Sequence, residues 1–472
     1  MRLVGGLRNH WGGSVMTTTR RRAMLGGAAL VGTLALPPGL SAQGSTDETQ
    51  LLLAVLSGTG SEAAAALAAI NDGDRRDMVA GLILTLRFRP ERADAINRVL
   101  RHLTGARGGD WFEWMLWQEA HPAFVPHPSF ATYMREVHLQ IDPNFDKFLR
   151  PEYLAREKAL IRIEEIAWGG VVKDGIPSLD NPTLIAAAEA DYMRPDDLVF
   201  GVEIGGDVRA YPLRIMGWHE MFNEVIGGVP VALAYCTLCG AGILFETKVK
   251  GRPKPLVFGS SGFLYRSNKL MFDRQTSTLW NQFTGRPVIG PLATSGIELV
   301  RRPVVIATWQ DWQKDHPDTA ILSLDTGYRR DYGSGAVYRD YFASPELMFP
   351  ALSDKRLSQK DYVFGIQQFG AAKAWPLKAF ARTPVINDDV GGLAVVLVGQ
   401  ADSRTVRAFE RGERQFRGGK DGLRDGNGGV WTATETALTG PGGETLARVA
   451  GQVSYWFAWD GYLGDAAELY QP

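Results

Sequence analysis

The strongest constraint on this chain is that it nearly repeats itself. Asp197-Leu-Val-Phe-Gly-Val followed by Ala210-Tyr-Pro-Leu-Arg matches Asp361-Tyr-Val-Phe-Gly-Ile followed by Ala374-Trp-Pro-Leu-Lys at a constant offset of 164. The register continues without a gap through Asn223 and Asn387, Gly227-Gly228 and Gly391-Gly392, and Val231 and Val395. It ends at Phe245-Glu246 and Phe409-Glu410, with 15 of 50 positions identical. A second block pairs Leu299, Arg301, Trp309, Trp312 and Leu322 with Leu446, Arg448, Trp456, Trp459 and Leu469 at an offset of 147. The shared residues are Gly, Pro and alternating aliphatics, which set turns and bury one face of a strand. Two copies of a β-rich unit are therefore expected, near residues 197–322 and 361–469, and a single pseudo-symmetric domain is preferred over two packed subdomains.

Ahead of the repeat the pattern is helical. From Thr49 to about Gln140 apolar residues recur three and four apart, as at Leu51, Leu52, Val55 and Leu56 and again at Ile96, Val99, Leu100 and Leu103. Breaks at Gly58-Thr59-Gly60, Asn71-Asp72-Gly73 and Arg89-Pro90 divide it into helices of roughly 10 to 14 residues, as antiparallel helix pairs require. Trp111, Trp114 and Trp117 fit a helix packed on its neighbour, and His102, His121, His127 and His138 are expected at the surface or in caps. The fold class expected is α+β: an N-terminal all-α helical-hairpin domain over 46–150, then a β-rich domain over 160–472 made of two tandem divergent repeats. The 54 glycines among 472 residues, above the usual ~7%, suit short strands joined by tight turns.

Residues 1–42 have the order of a signal peptide: Arg20-Arg21-Arg22, a Gly-rich apolar core through Leu36, then Pro37-Pro38 and Ser41-Ala42. The paired arginines and mildly apolar core point to twin-arginine export, with cleavage near Ala42 and either Met1 or Met16 as the start. A periplasmic or otherwise extracytoplasmic location follows, one that permits disulfides. The later sequence has no apolar run of spanning length, so no membrane span is expected in the mature chain. With 51 basic and 52 acidic residues the net charge is -1, which argues against nucleic acid as a partner. The export machinery is the one partner the sequence names; a substrate or protein partner is not legible.

The candidate chemistry lies where the two copies differ. His219, Cys236 and Cys239 align with Thr383, Gln400 and Ser403, so the scaffold is kept while the reactive side chains are not. Cys236-Thr-Leu-Cys239-Gly240 is expected to turn between strands Val229–Tyr235 and Ala241–Glu246, with Gly240 taking the positive φ of a tight turn. Such a hairpin resembles a metal knuckle, in which two sulfurs converge on one cation. A thioredoxin-type pair opens a helix instead, and Ala-Gly-Ile-Leu-Phe is a poor helix start. The metal set expected is Cys236, Cys239 and His219, with Met271, Asp273 and Glu220 as further ligands or supporting groups. Copper is preferred slightly over zinc for these soft donors, with a redox, metal-handling or metalloenzyme role, and whether the chain is an enzyme stays open. Two alternatives remain. One is a thiol–disulfide redox protein in which Cys236 and Cys239 cycle. The other is a binding module with a structural disulfide and a groove lined by Tyr265, Trp280, Tyr328 and Tyr332.

Several motifs carry a family likeness: Lys173-Asp-Gly-Ile-Pro177, Leu179-Asp-Asn-Pro182, Trp218-His219-Glu220, Tyr235-Cys-Thr-Leu-Cys-Gly240, Leu270-Met-Phe-Asp-Arg274 and Leu279-Trp280-x-Gln282. Over roughly residues 160–470 the chain resembles the prokaryotic family catalogued as domain of unknown function 3179. Thr237 stands where Pro is common in such turns. The resemblance implies a domain and stresses the His/Cys/Cys set; it implies no reaction, substrate or cofactor.

Overall fold

The computed structural model describes residues 47–419 and 422–471. The expected signal peptide lies outside the described residues. The chain divides between Trp111 and Phe112 into two compact units. Helices dominate the N-terminal part and strands the remainder.

The first unit holds the helices Asp47–Ser57, Gly60–Asp72, Val79–Phe88 and Ala93–Thr104. Thr59 and Glu62 start the second by capping each other's backbone N–H groups. Gly105, at φ 71°, ends the fourth with its N–H on the Arg101 carbonyl. The buried stripe consists of Leu52, Val55, Leu56, Ile96, Val99, Leu100 and Leu103 among others, on the spacing the sequence shows. Helices Asp47–Ser57 and Val79–Phe88 meet at Gly81, where a Cβ would stand 2.4 Å from the Leu52 side chain.

The second unit begins with helical segments of its own. Helix Ser129–Leu139 and the turn Pro143–Lys147 send His138, Phe145 and Phe148 against the sheet, with ring centroids 5.2, 4.6 and 5.1 Å from Phe263, Phe263 and Phe272. His138 is fully buried rather than a surface or capping residue. Its Nδ1 lies 2.7 Å from the Met134 carbonyl of the preceding turn, which satisfies that nitrogen inside an aromatic layer.

Two small sheets share one plan. In the first, Val305–Thr308, Leu198–Ile204, Asp207–Pro212 and Ala320–Leu322 run in that order, antiparallel except for the last pair, which is parallel; Leu184–Ala186 adds an edge. In the other, Gln452–Tyr455, Tyr362–Gln368, Ala371–Pro376 and Ala467–Leu469 follow the same order and senses. Trp312 lies on Gly201 in one and Trp459 on Gly365 in the other, so closely that a Cβ would approach the ring to 2.2 and 2.0 Å. Only glycine fits under either indole.

Each plan leads into a meander. Met221–Ile226, Val229–Cys236 and Ala241–Glu246 form the first, Val385–Val390, Leu393–Gln400 and Thr405–Glu410 the second. Gly227-Gly228 and Gly391-Gly392 make their tight turns at φ 54°, 81° and 56°, 81°. The inner faces of both halves meet in one core, where Phe200, Tyr211, Phe222 and Leu233 join Phe364, Trp375, Ile386 and Leu397. A further sheet is built on the hairpin of Phe258–Tyr265 and Asn268–Asp273, flanked by Ile166–Trp168 on one side and Leu279–Asn281 and Arg286–Ile289 on the other.

Candidate functional site

Strand Val229–Cys236 and strand Ala241–Glu246 pair up to Cys236 and Ala241, so Thr237, Leu238, Cys239 and Gly240 form the connecting turn. The Cys239 and Gly240 N–H groups close it on the Cys236 and Thr237 carbonyls, at 3.2 Å each, and Gly240 has φ 61° as the sequence requires. Cys236 and Cys239 are joined as a disulfide. Cys236 is 3% exposed and Cys239 fully buried. Cys239 Sγ lies 3.8 Å from the Ser267 carbonyl oxygen, at the tip of the neighbouring hairpin.

The surroundings are polar and buried. Glu220 ends helix Leu213–His219 at φ 55°, a left-handed position usually left to Gly or Asn. Its carboxylate accepts from Thr237 Oγ1 at 2.8 Å, from Lys269 Nζ at 2.9 Å and from the Tyr338 hydroxyl at 3.3 Å. The Glu220 and Lys269 side chains are 9% and 4% exposed, which makes them a buried ion pair beside the turn. Arg266 and Ser267 also hold positive φ, 47° and 61°, across the hairpin tip that faces Cys239. Gln282 donates to the Ala234 and Ala241 carbonyls and so bridges the two strands that flank the turn. Backbone strain and paired buried charge concentrated around one turn are more typical of a site than of a scaffold.

A cover lies over the turn. The Tyr341 hydroxyl donates to the Leu238 carbonyl at 2.7 Å, and burial raises its pKa above the ordinary tyrosine range. Lys360 Nζ donates to the Tyr341 and Ser344 carbonyls and lies 3.4 Å above the Tyr341 ring. Desolvation there pulls the Lys360 ammonium down to about 8. From the other side, the Tyr455 N–H donates to the Cys239 carbonyl at 2.8 Å, and the Tyr455 and Tyr362 rings pack at Gly240.

The expected metal set does not assemble. His219 is fully buried, but its Nδ1 lies 2.9 Å from the Pro177 carbonyl and its Nε2 2.6 Å from the Tyr332 hydroxyl. Both ring nitrogens are thus engaged away from the sulfurs, and the sulfurs are bonded to each other rather than present as thiolates. Among the described residues no group of three His, Cys, Asp or Glu side chains is placed to hold a metal ion. The residues present do not fit copper or zinc in this state.

The supporting residues are placed as follows. Asp273 is fully buried and accepts from the Thr276 N–H at 2.6 Å and from Trp280 Nε1 at 2.9 Å, so it pins its own turn. Arg274 pairs with Asp174, through two contacts of 3.0 Å. Met271 is fully buried on a central strand, in register with Ser260 and Trp280. Glu220 joins the site by its contacts with Thr237 and Lys269. Of the aromatic groove, Tyr265 and Trp280 are buried, while Tyr328 is exposed with its ring 5.3 Å from His219. Sequence reasoning missed Lys269, Thr237, Tyr338, Tyr341 and Lys360. The signal for the tyrosines was the Tyr-rich stretch 328–341.

The model of a family described as a protein of unknown function, DUF3179, matches residues 173–466, more than half of the chain. The chain belongs to the DUF3179 family. The matched span includes every residue of the covered Cys turn. No curated protein and no solved structure matches the chain. Among the described residues no helix is long and apolar enough to cross a membrane.

Proposed function

We propose that this DUF3179 protein is a thiol–disulfide redox protein that works outside the cytoplasm, with Cys236 and Cys239 as the cycling pair. The observation that carries this reading is the disulfide between two cysteines with two residues between them, set against what stands at the same place in the other half of the chain. There Gln400 and Ser403 occupy the two positions, and Ser403 Oγ reaches Gln400 Oε1 at 3.1 Å. A hydrogen bond suffices to close the equivalent turn, so the covalent bond is not demanded by the fold. Closing so short a loop also adds little stability, about 2 kcal/mol by the loop-entropy relation.

The comparison assumes that the two halves are copies of one unit, which we also propose. The common sheet order, the paired Gly201–Trp312 and Gly365–Trp459 contacts and the offset of 164 support it. So do matching backbone positions with non-Gly substitutes: Phe369 at φ 49° for Gly205 at 58°, and Arg404 at 56° for Gly240 at 61°. Asn223 exchanges hydrogen bonds with the Phe258 backbone, as Asn387 does with that of Phe416.

In the step proposed, a thiolate of an external dithiol attacks one sulfur of the pair; the S–S bond breaks and the other sulfur leaves as a thiolate. The second thiol of the donor then attacks the mixed disulfide. The donor departs oxidised by two electrons, and Cys236 and Cys239 are left reduced, with the donor's two protons. The nearly complete burial of both sulfurs means that the Tyr338–Tyr341 cover lifts first. Export by the twin-arginine route places the pair where such exchange with secreted dithiols is possible.

Treatment of the folded chain with dithiothreitol, followed by alkylation and mass measurement, tests the reading. Alkylation of both cysteines with the near-UV dichroism retained supports it. Alkylation only after denaturant is added refutes it and leaves a structural disulfide.

A further inference from the structure

His219 takes no part in the thiol chemistry, yet its geometry is that of a positioned base. A carbonyl oxygen can only accept, so the Pro177 contact at 2.9 Å fixes the proton on Nδ1 and leaves Nε2 with its lone pair. The Tyr332 hydroxyl, 2.6 Å away, therefore donates to Nε2, and its oxygen accepts in turn from Thr326 Oγ1 at 2.7 Å. A hydroxyl within hydrogen-bond reach of a base, itself oriented by a third group, is the general arrangement of an activated nucleophile. His219 is fully buried while Tyr332 is half-buried, so of the two Tyr332 is the residue more open to solvent.

Charge points to what would arrive. Arg330 is exposed and forms no ion pair among the described residues; its guanidinium lies 6.0 Å over the Trp218 ring, and its field reaches both His219 and Tyr332. The nearest chain neighbour, Asp331, turns its carboxylate to the Gly333 N–H at 2.9 Å. Neither partner of the pair is scaffold. His219 is Thr383 in the other half, and Tyr332 lies between the two repeated blocks.

We propose that Tyr332 is a nucleophile activated by His219, and that it accepts an acyl, sulfonyl or phosphoryl group from small anionic electrophiles drawn in by Arg330. The Tyr332 oxygen forms the new bond, its proton passes to His219 Nε2, and the leaving group departs with the electron pair of the broken bond. Water then splits the tyrosyl ester, restoring the phenol and releasing the acid, while the proton on His219 goes to solvent with the leaving anion. This site shares no residue with the cysteine pair and does not depend on it.

The test is labelling of the full chain with fluorosulfonylbenzoate, an anionic sulfonyl fluoride. The Tyr332 oxygen displaces fluoride, and peptide mass mapping reads the rate at Tyr332 against that at exposed Tyr328 in the same molecule. Tyr332 is expected to label at least about 100-fold faster, the low end of base assistance. His219→Gln should bring it down to the Tyr328 rate, and Arg330→Gln should slow this probe but not neutral phenylmethanesulfonyl fluoride. Equal rates at the two tyrosines in the unmodified sequence would overturn the proposal, whether or not His219→Gln folds. A Tyr332 rate untouched in folded His219→Gln would do the same, leaving the pair as a latch for the 326–334 segment.

Discussion

Lys269→Met breaks the ion pair beside the Cys turn and leaves the rest of the site in place. Nζ lies 2.9 Å from Glu220 Oε2, and the two side chains are 4% and 9% exposed. Removing one partner of a buried pair costs about 3–5 kcal/mol, because the other charge stays behind without compensation. Glu220 would keep the Thr237 hydroxyl at 2.8 Å and the longer Tyr338 contact, which places the loss near the lower end, about 3 kcal/mol. Met matches the Lys stem closely enough that the packing contribution is small. The double variant Glu220→Gln with Lys269→Met removes both charges and keeps an acceptor for Thr237. It should recover at least about 2 kcal/mol of the single variant's loss, since partners in contact are not additive. Urea unfolding followed by near-UV dichroism measures both. A cost below about 1 kcal/mol for Lys269→Met, or a double variant worse than the single one, would refute the view that these two groups form a desolvated pair.

Other consequences are equally direct. Tyr341→Phe removes the hydrogen bond from the cover to the Leu238 carbonyl, worth about 1 kcal/mol, and should speed reduction of the folded protein by dithiothreitol about 5-fold; an unchanged rate would mean the cover does not control access. Burial, then the Glu165 carboxylate, pushes Glu119 up to about 7 against the pull of Arg266 and the Leu352 N–H. Unfolded, this carboxyl loses its proton near 4.3, so between about pH 4 and 7 the folded chain binds the extra proton and stability falls as pH rises. Glu119→Gln should flatten that fall in a series of thermal melts, and an unaltered slope would remove Glu119 as its source. Gly365→Ala drives a Cβ to 2.0 Å from the buried Trp459 ring and should cost about 1–3 kcal/mol in urea unfolding; a neutral result would contradict the packing described.

What the sequence made legible follows from local rules. The helical unit was readable because apolar spacing and the Gly58-Thr59-Gly60 and Arg89-Pro90 breaks act within a turn or two of chain. The Cys hairpin was readable because Gly240 and the flanking alternation specify a turn between two strands. The ligand set was not legible, for a different reason. Two cysteines with two residues between them suit a cation or a disulfide equally, and pairing with His219 needed a ring orientation that Pro177 and Tyr332 decide from 42 and 113 residues away. Lys269 was invisible as the partner of Glu220 because the contact joins a helix end to a strand 49 residues away. His138 looked like a surface residue until a neighbouring sheet supplied the Phe263 ring.

The most direct test of the central claim is the equilibrium between the Cys236–Cys239 pair and a glutathione redox buffer, read by alkylation and mass on the folded protein. A cycling pair predicts a reduction potential above about −300 mV, with both forms folded and interconverting. A potential below that range, or reduction that accompanies unfolding, would show the bond to be a staple and contradict the account.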